Sequence, residues 1–353
     1  MQSKTHFLFI DFLKVFAALL IILHHLSSYG QIAQDARQAL PIIMTWLFEY
    51  GRYAVQIFLV LAGYLAAQSL SRYANDRFSV HRLLKVILNR YLRLFAPYAS
   101  ALILTIACAY IARFWVSDEF VGESETLSQF LAHLFFIQGI LGLDSISAGA
   151  WYIAIDWQLY SVLAILLISF PRYQAAIWVI SVLAVSSLLF FNRSGLYEAY
   201  FIYFIGSYGL GVLAYLGKHF DNQSVNRLAK IALLLIGLII AISSFEQIWL
   251  RNFLAWFVAM ILLYWGDKPY PTKAGSQAAL HAIAWGSQRS YCAFLTHFAL
   301  ILLANTLYVA SSLHTHKSSA LAIAFMLGVV GCSIIAANYL YRWIEMPALR
   351  LKI

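Results

Sequence analysis

The sequence is poor in charge. Asp, Glu, Lys and Arg make up 11% of the 353 residues, while 62% are hydrophobic; soluble domains carry about 25% charged residues. Water cannot keep such a surface dispersed, which excludes an ordinary soluble globule and points to lipid as the solvent. Cysteine is also scarce. Cys108, Cys292 and Cys332 all fall in apolar stretches, so there is no disulfide framework and no metal-ligand spacing, and no metal is expected. Internal repeats and low-complexity tracts are lacking as well.

What the sequence does contain is a series of apolar runs. Each is near the ~20 residues a helix needs to cross ~30 Å of hydrocarbon. In lipid the backbone must satisfy its own hydrogen bonds, which leaves helices or closed barrels. These runs are longer than barrel strands and do not alternate. The expected fold is therefore an all-α polytopic transmembrane helix bundle of about ten spans, near 7–29, 53–70, 94–115, 150–170, 175–191, 199–216, 231–246, 252–266, 289–310 and 319–343. The apolar segment 129–143 is short, and reads as re-entrant, surface-lying or an eleventh span. The stretch 274–288 reads as an interfacial helix. The first run is too long for a signal core and carries Asp11, Lys14, His24 and His25, so it is read as a retained span. The whole of 1–353 reads as one membrane-embedded domain with no fused soluble domain.

The net charge of +9 follows from where the basic residues sit, and no nucleic-acid partner is expected. Most Lys and Arg fall in alternate loops, among them Lys4, Arg72, Arg77, Arg82, Lys85, Arg90, Arg93, Lys218, Lys268, Lys273 and Lys352. The positive-inside tendency then puts both termini in the cytoplasm. The loop after the third span is acidic, with Asp118, Glu119, Glu123 and Glu125.

Ionisable groups at a span centre cost at least about 2.5–3.5 kcal/mol each, so they are candidates for function. On the first span Lys14 and His25 are eleven residues apart. At 100° per residue they share a face, separated by about 16 Å along the axis. Asp11 joins that stripe and His24 leaves it. His25 reads as a proton-transfer group or as a histidine bonded to a neighbouring helix. Asp11 and Lys14 serve the site or pair with each other. Gly63 on the second span permits close helix packing, and Gly51-Arg52-Tyr53 reads as the end of an outer loop. Arg90 and Arg93, three apart before Pro97, suit phosphate, with Arg82 and Lys85 beside them; lipid headgroups are the rival ligand. Asp156 lies in an apolar span and demands a partner such as Lys14, His25 or a substrate hydroxyl, with Trp151 before it and Tyr160 one turn beyond. Ser290 and His297, seven apart, share a face. Glu345 reads first as an ion pair with Arg342.

Taken in order, these segments resemble the acyltransferase-3 family of bacterial integral membrane acyltransferases. The family's arginine, ten residues and histidine is similar to Lys14 and His25. Its second-span Phe-Phe-x-x-Ser-Gly-Phe/Tyr is similar to Phe58, Ala62, Gly63 and Tyr64. Its Arg-x-x-Arg before proline resembles Arg90, Arg93 and Pro97, and its Trp-Ser-Leu-x-x-Glu resembles Trp151 through Asp156. Its late Ser-Tyr-x-x-Tyr-Leu-x-His resembles Ser290, Tyr291, Phe294, Leu295 and His297. A final Ile-Glu-x-Pro matches Ile344, Glu345 and Pro347. Three positions depart: lysine for arginine, alanine for serine, and aspartate for glutamate.

The resemblance implies transfer of an acyl group, most often acetyl from acetyl-CoA, to a hydroxyl of a cell-surface or lipid-linked carbohydrate in the bacterial inner membrane. The expected roles follow. His25, Asp156, Lys14 and Asp11 are the catalytic set: His25 acts as base on the acceptor hydroxyl or briefly carries the acyl group, Asp156 or Asp11 orients the imidazole or balances its charge, and Lys14 steadies negative charge on the donor or the tetrahedral intermediate. Arg90, Arg93, Arg82 and Lys85 bind the acyl-CoA phosphates. Trp151, Tyr160, His297 and Ser290 bind substrate. The lipid bilayer and a carbohydrate or glycolipid acceptor are the expected partners. A transporter of a glycan or lipid precursor, or a family member that has lost its chemistry, is the rival reading.

Overall fold

The chain's structure is a computed structural model that describes residues 7–73, 78–170, 172–243, 249–270 and 277–350. Lys4, Arg77, Lys273 and Lys352 lie outside the described residues, as do 244–246 and 274–276 at the edges of two expected helices. Among the described residues there are helices and no strands. In order they are α1 (Leu8–Ser28), α2 (Gly30–Ala39), α3 (Pro41–Tyr50), α4 (Ala54–Leu70), α5 (Val80–Ala112), α6 (Leu127–Leu134) and α7 (Ala150–Ser169). There follow α8 (Tyr173–Leu189), α9 (Phe201–His219), α10 (Gln223–Ile242), α11 (Trp249–Trp265), α12 (Gln277–Ala310) and α13 (Ser319–Leu340).

Nine described segments are long and apolar enough to cross a membrane. The apolar α11, at 17 residues, reaches the lower limit of ~17 and makes the tenth. Large apolar side chains such as Ile42, Phe114, Val182, Leu234, Leu327 and Trp343 point outward, as a bundle solvated by acyl chains requires. Polar starts mark several helices. Ser79 caps α5 by accepting from the Arg82 N–H (3.4 Å), and Asn222 caps α10 by accepting from Ser224 and Val225.

Three boundaries differ from the expectation. The second span runs Pro41–Tyr73, kinked at Gly51–Tyr53, so Gly51, Arg52 and Tyr53 sit within it and not in a loop. The kink packs on α1: a Cβ at Gly51 would lie 2.7 Å from that of His24. The interfacial helix and the ninth span are one continuous α12 of 34 residues: no proline interrupts it, and Gly286 at the junction stays helical where it packs close to Val15 of α1. Segment 129–143 is re-entrant. Beyond α6 the chain turns at Phe136, whose φ is 60°, and the Tyr91 hydroxyl donates to the Leu134 carbonyl (2.9 Å). Tyr91 is 21 residues before the end of α5 at Ala112, roughly 30 Å along the helix. The loop thus dips deep between α5 and α7, and Phe136 wedges against Tyr91, Tyr98 and Trp157.

The dip is held by His133. Its Nδ1–H donates to the Gln129 carbonyl (2.8 Å) and its Nε2 accepts from the Ile146 N–H (3.1 Å). That needs a neutral ring with its proton on Nδ1. As a consequence α7 starts inside the bundle, with Gly149 against the Phe294 ring: a Cβ there would come within 2.9 Å. Helices α4 and α9 pack backbone to backbone, Gly63 on the Tyr208 carbonyl and Gly211 on the Val60 carbonyl, as small interface residues allow.

Candidate active site

His25 faces the bundle interior and is buried. Its partner is His297, fully buried on α12. The two rings stack with centroids 4.9 Å apart, and His25 Nδ1 lies 2.7 Å from His297 Nε2. The direction of this hydrogen bond is set from below. His297 Nδ1 lies 3.2 Å from the Ala293 carbonyl, which can only accept, so Nδ1 carries the proton and Nε2 is a lone pair. His25 must then donate from Nδ1. The network leaves His25 Nε2 as an unprotonated acceptor, with no hydrogen-bond partner among the described residues. A neutral imidazole with a free lone pair at a defined atom is the form a general base takes.

His24 has a different task. Its Nδ1–H donates to the Leu47 carbonyl (3.0 Å), fastening α1 to the kinked second span.

The other expected partners of His25 are elsewhere. Asp156 is buried and forms an ion pair with Arg90, Nη2 to Oδ2 2.5 Å. The Arg90 guanidinium also lies over the Tyr160 ring at 5.0 Å. Asp11 accepts from Ser287 Oγ (2.5 Å) and the Tyr270 hydroxyl (3.1 Å). It sits fourteen residues from His25, about 21 Å along α1. Among the described residues, His297 is the group that reaches His25 Nδ1, and Asp156 and Asp11 do not. Lys14 is half-buried and about 16 Å from His25 along the axis.

Ser290 donates to the Ser287 carbonyl (2.9 Å), about 10 Å below His297 on α12. Trp151 stacks on Phe204 at 5.3 Å.

Between the imidazole pair and the ion pair stands an aromatic plug. Phe294 touches His297 (6.0 Å) and Tyr152 (5.5 Å), and Phe58 closes on both Phe294 and Tyr152. Tyr152 lies one turn before Asp156. Beside the plug is a water-sized cavity of about 10 Å³ lined by Tyr98, Gly149, Ala150 and Phe294.

At the basic end of the bundle, Arg93 is exposed while Arg90 is committed to Asp156. The two arginines therefore do not form one fork. Arg82 and Arg93, eleven apart, share a face of α5, with Lys85 exposed nearby. The Tyr291 hydroxyl donates to the Leu94 carbonyl (3.1 Å), tying α12 to α5 next to Arg93. Glu345 turns inward on a π-helical turn, Tyr341–Glu345, and accepts from Cys292 Sγ (3.0 Å).

The family model described as an acyltransferase domain, that of acyltransferase-3, matches residues 7–338. The chain belongs to the acyltransferase-3 family. No curated protein matches it, and no solved structure does. In this acyltransferase-3 chain the segments that carried the resemblance converge on two centres. The first-span and late histidines meet in one hydrogen bond, and Arg90 of the paired-arginine segment meets Asp156 of the Trp151–Asp156 segment in one ion pair. Tyr152 was not singled out from sequence. Its aromatic pairing with Phe58 and Phe294 joins three distant helices, and no local spacing signals it.

Proposed function

We propose that this membrane acyltransferase moves an acyl group, acetyl in the simplest case, from an acyl-CoA thioester to a hydroxyl of a surface or lipid-linked carbohydrate. The observation that carries the reading is the lone pair of His25 Nε2, fixed by the His25–His297–Ala293 chain. The chain sits in the bacterial inner membrane with its basic end in the cytoplasm. The exposed Arg93, with Arg82 and Lys85, takes the phosphates of the donor. From Tyr291, beside Arg93, His297 is six residues on, about 9 Å, so a pantetheine arm reaches the imidazole pair once the aromatic plug yields.

At the site His25 Nε2 takes the proton of the acceptor hydroxyl. The oxygen attacks the thioester carbonyl, a C–O bond forms, and the C–S bond breaks. The thiolate leaves with the proton returned by the imidazolium. His297 holds the Nδ1–H throughout and shares the positive charge of that step. The apolar plug keeps hydrolytic water out.

Mass spectrometry of surface glycans and lipids tests the reading, in cells with the wild-type gene, without it, and with His25→Ala. Acyl mass present only with the wild type is expected. An unchanged profile in cells that express the protein would overturn it.

A further inference from the structure

A second cavity, about 250 Å³, opens next to the end of α1, opposite the basic end of the bundle. Its walls include Ser27, Tyr29, Gln34, Arg37, Phe48 and Asp118. It is the larger of the two cavities described and the more polar. Tyr29 joins it to the site above, because that ring both lines the cavity and lies 5.5 Å from the His25 ring. Tyr29 is braced by Phe120 (5.7 Å) and Phe298 (5.4 Å).

The polar groups in the walls are held in place without being used up. Arg37 donates from Nη2 to the Ser27 carbonyl (3.1 Å) and lies over Phe48 at 5.4 Å, which fixes its fork while Nε and Nη1 remain. Asp118 accepts at Oδ1 from the Phe120 N–H (3.4 Å), leaving Oδ2. Arg37 and Asp118 make no ion pair with each other among the described residues.

We infer that this cavity is the acceptor subsite, built for one hydroxylated sugar ring whose reacting hydroxyl passes Tyr29 to His25. The inference rests on the proposed transfer reaction. Size supports it, since pockets for drug-sized ligands run about 300–1,000 Å³ and this one is smaller. Chemistry supports it too. Adjacent sugar hydroxyls both donate and accept, and a guanidinium and a carboxylate in one cavity satisfy both directions. Tyr29 and Phe48 add apolar lining beside these charges, which suits the C–H side of a sugar. A lipid tail would find the charged walls unfavourable.

The test uses the full chain in intact cells and reads acyl groups on surface glycans. Gln34, exposed in the cavity wall, is changed to cysteine, and cells are treated with a membrane-impermeant maleimide. Labelled Gln34→Cys protein is expected to fall to the acylation level of His25→Ala, while treated wild type is unaffected. Arg37→Gln and Asp118→Asn, at unchanged membrane levels, are each expected to lower acyl content about tenfold, the equivalent of one charge-assisted hydrogen bond. These two carry the test should Gln34→Cys itself be inactive. Labelled protein that still acylates, cysteine that the reagent cannot reach, or unchanged acyl content in Arg37→Gln and Asp118→Asn would each overturn the inference and leave the transfer reaction standing. Wild type that acylates no better than His25→Ala would overturn both.

Discussion

Removing the carboxylate of Asp156 will destabilise the protein severely, and removing its partner as well will undo most of the damage. The side chains of Asp156 and Arg90 are 5% and 20% exposed, and their ion pair is 2.5 Å long. Asp156→Ala leaves a guanidinium in the bundle without its counter-charge, and Arg90 Nε already lacks a hydrogen-bond partner among the described residues. Breaking a buried pair from one side costs about 3–5 kcal/mol, whereas replacing both members by apolar residues is often neutral. An exposed pair would cost only ~0–1 kcal/mol, so the size of the effect decides between the two situations. The assay is thermal unfolding in detergent, followed by intrinsic fluorescence, of wild type, Asp156→Ala and the double variant Arg90→Met/Asp156→Leu. A large fall for the single variant and recovery in the double variant are expected. A single variant that melts with the wild type would refute the ion pair. A double variant as weak as the single one would refute the electrostatic account of it.

Two further outcomes follow from packing. Gly63→Ala places a methyl on the Tyr208 carbonyl, a backbone atom that cannot swing aside, and is expected to cost about 1–3 kcal/mol. An unchanged melting temperature would contradict the close approach of α4 and α9. Tyr98 is 1% exposed and its hydroxyl has no hydrogen-bond partner among the described residues. Tyr98→Phe therefore relieves a desolvation cost of about 1–3 kcal/mol and raises the melting temperature. A fall would show that the hydroxyl is bonded after all.

Hydropathy made most of the spans readable, because lipid imposes length and apolarity on every crossing helix. It failed where polar residues occur inside a span. Glu49, Gly51 and Arg52 hide the continuity of Pro41–Tyr73, since the turn that seats Gly51 against His24 depends on a tertiary contact. The stripe of Asp11, Lys14 and His25 is present as the 100° arithmetic requires, but rise along the axis, not angle, decides who can touch. Asp156 did need a partner, and that partner is Arg90, 66 residues earlier in the chain. His297 was read as a residue beside the substrate, and its pairing with His25, 272 residues away, was not anticipated. No helical period encodes a pairing of that range. The second cavity left no signal at all, because Ser27, Gln34, Arg37 and Asp118 come from an α-helix end, a short helix and a loop with no common spacing.

The central claim is that His297, by accepting the Nδ1 proton of His25, frees Nε2 to act as the base. The rate of surface-glycan acylation in cells carrying His297→Ala and His297→Gln, at matched membrane levels, tests it most directly. His297→Ala is expected to lose about 10²–10⁴-fold, the span of general-base effects. His297→Gln, whose amide oxygen can still accept from Nδ1, is expected to regain part of it. Acylation by His297→Ala at the wild-type rate would contradict the account.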